Sequence, residues 1–189
     1  MRPVRPHCRL FAGIELDDGL REACVRASEA LRRAGFAARY EAPEKLHLTL
    51  AFLGGVEAGR VESVREALST AARASARFAL CFDRLGAFPH ERRPRIVYVG
   101  VRDGRAPFRS LCAQIRGGLE PMGFAFDADA VAHVTIARVK APARPLPLVD
   151  VPPVALHVER IALFESLFDP AHNTSRYETI ATAALAAAR

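Results

Sequence analysis

Apolar residues fall along this chain in two rhythms, one of period two and one near 3.6. Residues 9–16, RLFAGIEL, form the first run of strand character. Asp17 or Asp18 then offers an N-cap. Leu20, Ala23, Cys24, Ala27, Ala30 and Leu31 recur at helical spacing to about Ala34, where Gly35 stops the pattern. The spacing predicts a short strand over 38–40, a turn at Pro43 and a strand over 46–53 ended by Gly54-Gly55. A helix over 58–75, a strand over 78–85, a loop over 86–93 and a strand over 95–101 follow. Asp103-Gly104 marks a turn. A helix spans 106–119, Pro121-Met122-Gly123 breaks it, and a strand spans 131–139. Pro142, Pro145, Pro147, Pro152 and Pro153 make 141–153 a surface connection, because proline cannot sit in a central strand. Residues 154–164 and 177–182 read as late strands, with 169–175 a loop between them. Helices and strands are mixed, and many strands follow one another too closely for parallel crossovers. That predicts an α+β fold with mostly antiparallel sheets.

Two of these strands carry the same tetrad, His47-Leu48-Thr49-Leu50 and His133-Val134-Thr135-Ile136. Successive side chains of a strand point to opposite faces. His47 and Thr49 therefore share one face, while Leu46, Leu48 and Leu50 enter the core from the other. His133 and Thr135 repeat the arrangement against Val134 and Ile136. A lone His beside a Thr is usually a hydrogen-bonded structural residue. Composition alone gives about 0.2 His-x-Thr matches per chain of this kind, and two or more in about 1–2 % of cases. Two copies on alternating strands, each after a helix and 86 residues apart in numbering, suggest a diverged duplication lining one groove.

Two imidazoles suit a cyclic phosphodiester. One can activate water as a base and the other protonate the departing oxygen, both near neutral pH. Thr hydroxyls can donate to the non-bridging oxygens as charge builds. This chemistry needs no cofactor and no metal, and the sequence holds no carboxylate cluster for a metal pair. Cys8, Cys24, Cys81 and Cys112 lack ligand or disulfide spacing and read as reduced structural thiols. The net charge of +6, from 27 Lys and Arg against 21 Asp and Glu, favours polyanionic partners without naming one. No stretch has the length of a membrane helix and the N-terminus lacks a signal-peptide core, so a cytoplasmic protein is expected.

Longer blocks carry a wider likeness: RLFAGIEL at the start, APEKLHLTLAFLG, GAFPHERRPRIVYVGV, AHVTIARV, then ERIALFES followed by RYE. In their order and spacing the chain resembles the two-histidine phosphoesterase superfamily, specifically the RNA 2′,3′-cyclic phosphodiesterases, also named 2′-5′ RNA ligases. The resemblance implies one bilobal α+β domain over 1–189, with two mostly antiparallel sheets and outer helices around a central cleft. Each lobe would supply one His-x-Thr-x strand. It implies opening of a 2′,3′-cyclic phosphate at an RNA end to leave a 2′-phosphate. His47 would donate a proton to the leaving 3′-oxygen, His133 would activate water, and Thr49 and Thr135 would hold the phosphate. Similar proteins also join RNA halves through a 2′-5′ bond, the reverse chemistry in the same cleft. The implied partner is RNA with a 2′,3′-cyclic phosphate end, tRNA fragments being one such RNA, acted on by a monomer.

Arg138 completes a His-x-Thr-x-x-Arg block, and in similar proteins this Arg lies near the phosphate. Strict alternation puts Arg138 on the face opposite His133, so it reaches the cleft only if the strand bulges or ends first. Phe52 has the same parity after the first motif and reads as a core residue rather than a base-stacking one. Tyr40 and Ala132 stand where similar proteins carry Trp and Pro. His157 reads as a hydrogen-bonded structural residue, His172 as a loop residue, and His7 and His90 as peripheral. Two other readings stay open: a phosphodiesterase of a small cyclic nucleotide, and a module that holds nucleotides or RNA without turnover.

Overall fold

Residues 10–14 are all buried, and β1 (His7–Glu15) accordingly runs inside a sheet with a neighbour on each side. The protein is described here by a computed structural model covering residues 6–102, 105–126, 130–140, 144–171 and 173–187. Asp17 caps α1 (Asp18–Arg33), its carboxylate accepting the Leu20 amide at 2.9 Å. Gly35, at φ +70°, supplies the left-handed turn just past the helix end. The remaining elements are β2 (Arg39–Tyr40), β3 (His47–Glu57), α2 (Val61–Arg73), β4 (Phe78–Phe88), β5 (Ile96–Val101), α3 (Ala106–Leu119), β6 (His133–Arg138), β7 (Val154–Val158), β8 (Arg160–Asp169) and β9 (Thr174–Ala184).

The fold is α+β. The strands form an antiparallel sheet in the order β7-β4-β5-β6-β3-β1-β8-β9, with β2 pairing β6. Its two halves, expected as two sheets, join through one pair, Leu48 opposite Val134. The same strand–helix–strand unit occurs on each side of that seam: β1-α1-β3, with β1 and β3 paired, and β5-α3-β6, with β5 and β6 paired. Leu48, Val134, Ile136, Val97 and Val99 bury completely or nearly so in one core with Leu20, Leu31, Phe108 and Leu111 of the helices. Burying each such side chain stabilises the fold by about 1.5–3 kcal/mol.

Glu159 alone separates β7 from β8, yet β4, β5, β6, β3 and β1 lie between those strands in the sheet. One residue spans only about 3.5 Å. The sheet must therefore curl until its ends approach, and a bridge between Ala76 and Ala186 ties the two ends beside Glu159, whose carbonyl accepts the Leu185 amide at 2.8 Å. The run expected as one strand over 154–164 is thus two strands belonging to opposite halves. Three boundaries also differ from the expectation, two of them because glycine does other work there. β3 continues through Gly54, whose φ of +72° serves a bulge rather than a turn. β4 continues through Gly86 to Phe88 because the Tyr98 ring lies against that glycine. β9 starts at Thr174, so most of the expected loop is a short hairpin turn. Asp103-Gly104 and His172 lie outside the described residues. Cys24 and Cys112 are buried, and burial pushes both thiols up to about 12, whereas Cys81 is exposed, contrary to the structural reading. Among the described residues no helix is long and apolar enough to cross a membrane.

Candidate active site

β3 and β6 place their tetrads on the concave side of the curled sheet. His47, Thr49, His133, Thr135 and Arg138 all line one cleft of about 650 Å³. The two histidines are set by the same local device. The Nδ1 of His47 lies 2.7 Å from the Lys45 carbonyl, and that of His133 lies 2.8 Å from the Val131 carbonyl. A carbonyl oxygen only accepts, so each Nδ1 carries the hydrogen and donates it. Each Nε2 is left to carry a lone pair when the ring is neutral and a proton when it is charged. Both side chains are thus prepared as either base or acid.

The hexads His47-Leu48-Thr49-Leu50-Ala51-Phe52 and His133-Val134-Thr135-Ile136-Ala137-Arg138 share one burial pattern: half-buried, buried, half-buried, buried, buried, exposed. Strict alternation does not give that pattern; a bulge in each strand does. β1 pairs Gly13 with Thr49 and Ala12 with Ala51, leaving Leu50 as an extra residue. β5 pairs Tyr98 with Thr135 and Val97 with Ala137, leaving Ile136 as the extra one. Each bulge returns the sixth residue to the histidine face. Arg138 therefore reaches the cleft, as its block requires and alternation forbids. Phe52 reaches it too. The core reading of Phe52 is corrected: its ring is 69 % exposed and lines the cleft.

Aromatic rings seat each imidazole. His47 lies 4.7 Å from the Phe11 ring and 5.1 Å, edge on, from Tyr177. His133 lies 5.1 Å from Phe88 and 5.4 Å from Tyr98. Burial pushes both imidazoles below their ordinary value. At His47 the Lys45 carbonyl and the Glu41 carboxylate oppose that shift, while His133 and Arg138 add to it. At His133 the Val131 carbonyl opposes it and Arg138 adds to it. The two rings differ chiefly in that a carboxylate supports positive charge on His47.

That carboxylate, Glu41, escapes the sequence reading. It is nearly buried, accepts from Arg138 Nε at 2.8 Å, and pairs with Lys45 Nζ at 3.6 Å. Lys45 also donates to Thr174 Oγ1 at 2.8 Å. The chain thus links Arg138 of β6 to β9 in the other half. The only signal was the spacing of Glu41 and Lys45 just before the first tetrad. Phe11 and Tyr177 were also missed, since both sit in strands that read as plain core and edge.

The other expectations resolve simply. Tyr40 turns away from the cleft, donating to the Phe36 carbonyl at 2.8 Å with the Arg32 guanidinium 4.2 Å from its ring centre. His157 is exposed on β7 and its ring makes no hydrogen bond among the described residues, so the structural reading of it is corrected. His90 accepts from the Arg93 amide at 3.2 Å outside the cleft. Ala132 is buried at the entry to β6.

Known proteins share this architecture. A family profile described as the 2′-5′ RNA ligase superfamily matches residues 17–170. An RNA 2′,3′-cyclic phosphodiesterase of Thermotoga maritima is 30 % identical over 166 residues, covering 86 % of this chain and 88 % of that protein. A Thermus thermophilus protein of known structure, TT0787, superposes with a TM-score of 0.83 at 28 % identity, over 96 % of this chain and 100 % of that one. Escherichia coli LigT in its apo form superposes with a TM-score of 0.77 at 26 % identity, over 96 % and 99 %; LigT is also known in complex with phosphate and with 3′-AMP. By a match that spans most of its length, on a fold of the same kind, this chain belongs to the 2′-5′ RNA ligase superfamily, among the two-histidine phosphoesterases.

Proposed function

We propose that this chain is an RNA 2′,3′-cyclic phosphodiesterase that opens the cyclic phosphate by paired-histidine catalysis. The observation that carries the proposal is the pair of imidazoles in one cleft, each with Nδ1 donating to its own backbone and Nε2 left for chemistry. His133 Nε2 takes a proton from water, whose oxygen attacks phosphorus. The bond from phosphorus to the 3′-oxygen breaks, and His47 Nε2–H protonates that oxygen. The products are a 2′-phosphate and a 3′-hydroxyl, with the proton carried from His133 back to His47 through solvent. Glu41 near His47 supports His47 as the acid; Arg138 pushes both rings down, and His133, with no carboxylate to oppose that, is the better neutral base. Thr49, Thr135 and Arg138 would donate to the non-bridging oxygens. Phe52 offers an aromatic face to the terminal base.

In this reading residues 1–189 act as one bilobal unit in which each half supplies one motif strand. The reading takes the protein as a monomer. Free thiols at Cys24 and Cys112 suit the reducing cytoplasm. RNA ends generated by cleavage, tRNA fragments among them, are the substrate class. Joining RNA halves through a 2′-5′ bond would use the same groups with a 5′-hydroxyl in place of water.

The test is an oligoribonucleotide ending in a 2′,3′-cyclic phosphate, incubated in EDTA, with the position of the product phosphate determined. A 2′-phosphate is expected. A 3′-phosphate would overturn the assignment of the leaving oxygen. No turnover by folded protein would favour a small cyclic nucleotide or a binding role.

A further inference from the structure

Only three large hydrophobic side chains stand exposed among the described residues, and two of them, Phe52 and Phe168, line the same cleft. Phe52 belongs beside the reacting groups. Phe168 does not. Along β8 it shares a face with Phe164 and Ser166, four residues beyond Phe164, or about 13 Å at strand rise. Phe164 stacks on Phe11, the ring that touches His47. Phe168 thus marks the far end of the cleft.

Two arginines line the same cleft. Arg9 shares the cleft face of β1 with Phe11, two residues and about 7 Å away, in the direction of Phe168. Arg39 lies directly opposite Arg138 across the β2–β6 ladder. Both are exposed, both line the cleft, and neither has an ion-pair partner among the described residues. Arg138, by contrast, is engaged by Glu41. Unpaired guanidinium groups beside an exposed aromatic ring are the parts of a single-strand binding surface: charge for the backbone, a flat face for a base.

We propose that the part of the cleft lined by Arg9, Arg39 and Phe168 is a subsite for the RNA strand on the 5′ side of the reacting terminal nucleotide. The subsite makes the protein prefer an oligoribonucleotide to a lone cyclic nucleotide. A cyclic phosphate occupies the 3′ terminus, so the rest of the strand leaves the reaction centre in one direction only. The preceding phosphate meets Arg9 and Arg39, and the preceding base stacks on Phe168. The inference rests on the proposed activity and adds the residues that hold the strand beyond the reacting nucleotide.

The experiment compares kcat/KM for a trinucleotide ending in a 2′,3′-cyclic phosphate with that for a 2′,3′-cyclic mononucleotide, in the native protein and in Arg9→Ala, Arg39→Ala and Phe168→Ala. The native protein is expected to prefer the trinucleotide. Phe168→Ala should cost about 5–100-fold on the trinucleotide, the range of base–aromatic stacking, and leave the mononucleotide rate unchanged. Each Arg→Ala change should flatten the salt dependence on the trinucleotide alone, by about 0.7 in the log–log slope. Equal losses on both substrates would assign these residues to the reacting nucleotide and overturn the subsite. Equal native rates on both would overturn it while sparing the cyclic phosphodiesterase reading. Turnover of neither substrate would sink both.

Discussion

Gly86→Ala tests whether Tyr98 holds His133 in place. A Cβ at position 86 would lie 2.6 Å from both Cζ and Oη of Tyr98, and 2.8 Å from Cε2. Ordinary contact begins near 3.4 Å, so the ring must retreat by about 0.8 Å. It has little room. Tyr98 is 5 % exposed, its hydroxyl accepts from Arg84 at 3.0 Å, and its ring packs against Phe88 at 4.6 Å and His133 at 5.4 Å. Gly100 lies along the same ring edge, where a Cβ would meet Tyr98 Cε2 at 2.7 Å, so the ring is fitted over two glycines. Overpacking of this kind destabilises by about 1–3 kcal/mol. A catalytic group displaced by 1 Å can lose about 100-fold in rate. If half the ring's movement reaches His133, kcat falls by about 10-fold. The assay is turnover of the cyclic-phosphate oligonucleotide together with urea unfolding. In a cycle with Tyr98→Ala, the Gly86→Ala change should lose most of its effect once the ring is gone. Wild-type kcat and stability in Gly86→Ala, or additive effects in the cycle, would refute the reasoning.

Four further outcomes are expected. His47→Ala and His133→Ala should each lower kcat by about 10²–10⁴-fold with unfolding midpoints near the native value, since both rings face the cleft; a rate near native in either variant removes that histidine from the reaction. The pH profile of kcat/KM should be bell-shaped with its maximum below about pH 6.5, because burial holds both imidazoles below their ordinary value. The same shifts set the sign for stability. The unfolded histidines take up protons first as pH falls, so stability is full above about pH 6.5 and lost as pH drops through the folded values, which urea titrations at several pH values would read. Glu41→Gln should move the basic limb of the rate profile to lower pH, since the carboxylate that supports charge on His47 is gone, and should raise KM by releasing Arg138. An unmoved basic limb would show that Glu41 is only a brace.

Much of this protein is legible in one dimension. The cap at Asp17, the helix spanning Ala106–Leu119 and the two His-x-Thr strands are local matters of period, turn chemistry and side-chain parity. So is the candidate chemistry, because two imidazoles and two hydroxyls on like faces already name a task. The tertiary structure decided the rest. Leu50 and Ile136 are bulged by the register of strands distant in sequence, β1 and β5, and only that register turns Phe52 and Arg138 into the cleft. Gly54 and Gly86 read as loop signals, yet one serves a bulge and the other makes room for a ring on a paired strand. The break at Glu159 is marked by no glycine or proline in the run 154–164, because what splits β7 from β8 is the curl of the whole sheet. Glu41 has no motif; it matters because folding brings Arg138, 97 residues away, within 2.8 Å of it. Period and parity act between neighbours along the chain, whereas register, curl and charge pairing act between neighbours in space, and those exist only once the sheet has closed.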